Sequence, residues 1–142
     1  MKLNDFLKRW YKTTDVAMNM EVNGKTIRYT DTHIYRPRVV CKDGFSVSVQ
    51  ADKHRCCEPK GNAENYSKVE LINPSKADQL IAEYALGKKD QDLTDVIYVY
   101  VPVSIVDKLL AKHGGITGPD EFSLEMLSKC RNTKYIKQKC SW

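Results

Sequence analysis

The segment 95–116, DVIYVYVPVSIVDKLLAKHGGI, constrains the fold most, because a strand pattern runs into a helix pattern with no linker between them. Val96, Ile97, Tyr98, Val99, Tyr100 and Val101 form a β-branched and aromatic run with almost no polar break. Such a run predicts a strand with little solvent on either face. Pro102 ends it, since proline cannot donate to a ladder yet suits the first turn of a helix. Val103, Val106, Leu109 and Leu110 then recur at helical spacing, and Gly114 and Gly115 supply a C-cap.

The remaining segments are placed against this one. Leu3, Phe6, Leu7, Trp10 and Tyr11 make a helical stripe opposite Lys8, Arg9 and Lys12, and the helix is expected to end near Thr13 and Thr14. Asn23-Gly24 between two alternating runs is a strong signal for a hairpin with a primed turn, with Met18, Met20 and Val22 on one face. Residues 31–36 read as a connection. A second hairpin pairs Arg38, Val39, Val40 and Cys41 with residues 45–49 across Lys42-Asp43-Gly44. From 51 to 65 the apolar pattern disappears, which predicts a long presented loop. Tyr66, Val69, Leu71 and Ile72 read as another strand. Ser75 with Asp78 matches a capping box, followed by a helical stripe of Ala77, Leu80, Ile81, Tyr84 and Ala85. Thr117, Pro119 and Asp120 read as the start of a last helix, with Phe122, Met126, Leu127 and Cys130 toward the body.

Hairpins early and helices late predict an α+β fold: one mainly antiparallel sheet of about six strands, with helices on one face. The expected division is an α+β domain over 1–116 and a C-terminal helical extension with a basic tail over 117–142. Composition adds exclusions. Hydrophobic residues at 42% and charged residues at 29% are ordinary for a globular domain, and no apolar run approaches the roughly 18 residues of a membrane span. The first residues lack the long apolar core of a secretory signal, so a cytoplasmic location is expected. Five cysteines then favour free thiols over a disulfide framework. Lys129, Arg131, Lys134, Lys137 and Lys139 lie in a tail without acids and account for the whole net charge of +5. The body is neutral, and the tail is an electrostatic anchor available to nucleic acid.

Within 43–116 the words DGFSVSVQA at 43–51, Cys57-Glu58-Pro59-Lys60, Tyr66 with Val69-Glu70, Asn73-Pro74-Ser75, and VYVPV followed by KHGGI resemble an uncharacterised family of small bacteriophage-encoded proteins. The resemblance implies a phage origin and residence in the host cell. It brings no activity, catalytic residue or cofactor, and the region after Ile116 looks like an addition to it.

Motifs of common chemistries are missing: there is no phosphate-binding glycine loop, dinucleotide fingerprint, nucleophile elbow or H-E-x-x-H. His33 and His54 are not followed by the residues of a paired H-x-[ST] phosphodiesterase. The His54-Arg55-Cys56-Cys57 run supplies only half of a usual zinc ligand set, so neither a metal nor a cofactor is expected. Cys57 or Cys56 activated by His54 would be a thiol nucleophile. Asp90, Asp92 and Asp95 lack the glycine and terminal glutamate of a calcium loop, and His113 suits a helix C-terminus without a catalytic role. Arg28, Tyr29, Tyr35, Arg36 and Arg38 interleave basic and aromatic residues, a composition that suits protein interfaces and nucleic-acid bases alike. Together with Arg55, Cys57 and Lys60 they form the expected contact surface. The expected function is non-enzymatic: binding, inhibiting or sequestering a host protein or host-derived small molecule. Nucleic-acid binding through the tail and a small Cys/His enzyme are the alternatives.

Overall fold

The computed structural model describes residues 1–87 and 90–128, together with the backbone of residues 129 and 136–140. Helix α1 (Leu3–Arg9) leads into an antiparallel pair, β1 (Lys12–Val22) and β2 (Lys25–Tyr35). Asn23 and Gly24 both adopt positive φ, 51° and 75°, the primed turn that the Asn-Gly signal calls for. The second hairpin joins β3 (Val39–Cys41) to β4 (Ser46–Gln50). It is followed by β5 (Lys68–Ile72), a three-residue 3₁₀ turn at Ala82–Tyr84, β6 (Ile97–Pro102), α2 (Val103–Lys112), β7 (Ile116–Pro119), α3 (Glu121–Lys129) and β8 (Ile136–Cys140). The fold is α+β with antiparallel ladders throughout the described residues.

Among the described residues two sheets form where one is expected. β2-β1-β8 is three-stranded, and β6-β5-β4-β3-β7 is five-stranded. The inner face of the larger sheet supplies Val39, Val47, Val49, Val69, Leu71, Tyr98 and Val101 to a core completed by Leu3, Phe6 and Leu7 of α1 and Val106, Leu109 and Leu110 of α2. Asp107 of α2 accepts a hydrogen bond from the Leu3 amide at 2.9 Å, fixing the two helices against each other. α2 closes as its glycines predict: Gly115 N–H bonds to Leu110 O at 2.9 Å and Gly114 N–H to Ala111 O at 3.0 Å. Both glycines have positive φ.

Four local expectations are corrected. Residues 12–14 and 31–35 are strand, because α1 stops at Arg9 and β-branched Thr13, Thr14, Thr32 and Ile34 extend the ribbon well beyond its turn. β6 is an edge strand, so Ile97 and Tyr100 stay 40% and 37% exposed on the face that the core does not use. The helix expected after Ser75 does not form. Asp78 turns its carboxylate onto the Leu80 amide at 2.9 Å and onto Lys112 at 2.8 Å, and Ser75 accepts the Ser46 amide at 2.9 Å. Both capping groups are thereby spent on tertiary bonds, an outcome open to short polar side chains. Finally, Thr117 lies in β7 and Asp120 is the cap of α3, accepting the Ser123 amide at 2.9 Å. Phe122 and Met126 are 70% and 53% exposed rather than turned to the body, and Cys130 lies outside the described residues.

Candidate functional site

The β1–β2 pair keeps one unbroken register from Lys12 opposite Tyr35 to Val22 opposite Lys25. Among the described residues β8 accompanies β1 from Lys12 to Val16, and the outer half is a two-stranded ribbon in which every residue from 17 to 30 is exposed. Alternation along a strand divides that half into two faces. One carries Met18 opposite Tyr29, Met20 opposite Ile27 and Val22 opposite Lys25; the other carries Ala17, Asn19 and Glu21 opposite Thr30, Arg28 and Thr26. The first face is apolar apart from Lys25, and its five apolar side chains are 38% to 47% exposed. Cross-strand contacts give such a ribbon some stability, yet two strands alone are marginal in water. A contiguous apolar face left in solvent makes the ribbon a candidate interaction surface.

The same face runs inward to a polar cluster. Asp31 follows Tyr29 by two residues opposite Val16, and His33 follows opposite Thr14. His54 arrives from the 51–65 loop, stacking on His33 with ring centroids 4.2 Å apart and planes 14° from parallel. Both imidazoles aim Nε2 at the same oxygen, Oδ2 of the buried Asp31, at 2.9 Å from His54 and 3.6 Å from His33. Oδ1 carries the ammonium of Lys53. That hydrogen bond, followed by the one from His54, holds the Asp31 carboxyl below its ordinary value against the opposing effect of burial. Asp52 ties the two segments together: Oδ2 accepts the Ile34 amide at 3.1 Å and Oδ1 the His54 amide at 2.7 Å. The far end of the loop is held by Asn4, which exchanges two hydrogen bonds with the Tyr66 backbone.

The residues singled out from sequence are spread over several environments. Arg28 lies on the polar face of the ribbon, Tyr29 on the apolar face, and Tyr35 at the ribbon base, its ring 6.2 Å from His33. Arg36 is buried, donating to the carbonyls of Leu7 and Ala51 at 3.2 and 2.6 Å beneath the Tyr66 ring. Burial pushes its guanidinium pKa down. Arg38 bonds the Ser46 hydroxyl and carbonyl and the Asn73 carbonyl, which ties β3 to the end of β5. Arg55 pairs with Glu70 at 2.8 Å, and Lys60 rests over the Tyr100 ring on edge strand β6. Cys57 is fully buried, donating to the Asp52 carbonyl at 3.2 Å; burial raises its pKa, so the thiol is protonated at neutral pH. Cys41 is pushed up to about 11 by burial. Of the tail, Lys129 ends α3, Lys137 and Lys139 lie on β8, and Arg131 and Lys134 lie outside the described residues.

The Asp31, His33 and His54 grouping does not emerge from the sequence while 31–36 is taken as a connection, which hides the fact that residues two apart on a strand share a face. Asp-x-His followed by a histidine across a turn-rich loop was the available signal. Among the described residues no helix is long and apolar enough to cross a membrane. Compared with known proteins, the chain matches no family model, no curated protein and no solved structure.

Proposed function

We propose that this chain is a small phage-encoded accessory protein that acts by binding a host protein, with the apolar face of the β1–β2 ribbon as its contact surface. The observation that carries the reading is the row Met18, Met20, Val22, Ile27 and Tyr29, exposed together on one side of a ribbon whose other side is polar. Flexible methionines and a tyrosine adapt to a partner's surface, and an interface core of this composition binds through desolvation. Lys25, opposite Val22 on the same face, supplies charge at the rim. The phage origin rests on the resemblance over 43–116. A buried, protonated Cys57 thiol weighs against the nucleophile alternative.

The reading is tested by single charges placed on either face. Met20→Glu and Ile27→Glu are expected to abolish retention of a defined partner from host lysate, because each buries an unpaired carboxylate in the contact. Asn19→Glu, on the opposite face, is expected to retain it. Equal loss in all three, or none, contradicts the assignment of the face. Loss on raising salt and on removing 129–142, with Ile27→Glu unaffected, moves the function to nucleic acid and the tail.

A further inference from the structure

We propose that Asp31, His33 and His54 form a binding site for one divalent first-row transition ion, zinc being the probe of choice. The three donor atoms lie within 4.8 Å of one another, two imidazole nitrogens and one carboxylate oxygen. A tetrahedral ion with bonds of about 2.0–2.2 Å needs its ligand atoms about 3.3 Å apart. The two Asp31 contacts, 2.9 and 3.6 Å, already bracket that spacing. Imidazole with carboxylate suits zinc, cobalt, nickel or copper and disfavours calcium or magnesium, which take oxygen.

Convergence on a single oxygen distinguishes this cluster from a chance grouping of surface charges. Lys53 occupies Oδ1, leaving Oδ2 as the acceptor that both histidines face. With an ion bound, Oδ2 is the ligand atom and Lys53 remains a hydrogen-bond partner of the liganding carboxylate, an arrangement common around metal centres. The backbone is also held in place. His33 is set by the ladder opposite Thr14, and the His54 amide by the buried Asp52 carboxylate, which also grips Ile34 in the strand. Only side-chain torsions need to adjust. The His33 and His54 side chains are 28% and 37% exposed, so the ion enters from solvent and keeps an open coordination position on that side. That position looks out from the face that carries Tyr29 and Met18 further along the ribbon.

The test is titration of the full chain with zinc, read by calorimetry and by the imidazole ring resonances in NMR spectra. One equivalent is expected to bind, shifting the His33 and His54 ring signals and leaving those of His113 in place. His33→Ala and His54→Ala are each expected to weaken binding by more than about tenfold, while Cys56→Ser leaves it unchanged. Both histidines lie outside the core, and the wild-type ring shifts report on the site even where a variant fails to fold. Absence of binding at millimolar zinc overturns the site. So does binding that leaves the His33 and His54 rings unshifted, that survives both histidine variants, or that is lost in Cys56→Ser.

Discussion

Arg36 and Asp78 are polar residues that read as surface or capping groups in sequence and that the fold uses inside. Arg36 lies just past the end of β2, two residues after Ile34, which is 7% exposed, so its inward direction is legible once 31–35 is taken as strand and its parity is carried one residue further. Its acceptors are backbone carbonyls of Leu7 and Ala51, which no side-chain pattern announces. The carboxylates carry a prediction about pH. Asp31 is lowered first by the Lys53 hydrogen bond and Asp43 first by the Phe45 amide. For Asp78 burial acts upward and is outweighed by Lys112 and the Leu80 amide. A carboxyl whose folded pKa lies below its unfolded one stabilises the native state above the unfolded value and loses that contribution as pH falls through the folded value. Stability measured by urea unfolding is therefore expected to drop as pH falls below the ordinary 3.8. Asp78→Asn is expected to reduce that drop, and an unchanged acid profile contradicts the pairing.

At the scale of elements, those fixed by local chemistry were the legible ones. Asn23-Gly24 and Gly114-Gly115 act through φ angles that few residues adopt, so each turn or cap is written in two adjacent positions. The segment 75–87 has equally good local credentials, yet its groups bond to distant Lys112, Ser46 and Ile97, and a 3₁₀ turn at Ala82–Tyr84 is the helical structure it keeps. The ribbon itself gives an element-scale prediction. Gly24 has φ +75° with nothing within 4 Å of an added Cβ, so Gly24→Ala meets backbone strain without a clash. The cost is about 1–2 kcal/mol. Because the outer ribbon is exposed on both faces, the loss is expected in faster amide exchange across 17–30 and not in the global unfolding midpoint. A lowered midpoint with unchanged exchange contradicts a separately opening ribbon.

At the scale of the whole molecule, the strands and their antiparallel sense follow from hairpins, whereas the division into two sheets depends on pairings between distant segments. β7 joins β3 and β8 joins β1, neither through a tight turn, and one sheet was the simpler expectation from hairpins alone. The same distance hid the candidate metal site, whose third ligand comes from a loop, and the extent of the apolar face, which requires the register of both strands. That face runs from the ribbon tip to Asp31, and it is the contact surface proposed above. Amide hydrogen exchange on the wild-type chain, free and bound to the partner it retains, tests this most directly. Slowed exchange concentrated in residues 17–30 is the predicted result, and unchanged exchange there with protection elsewhere would contradict it.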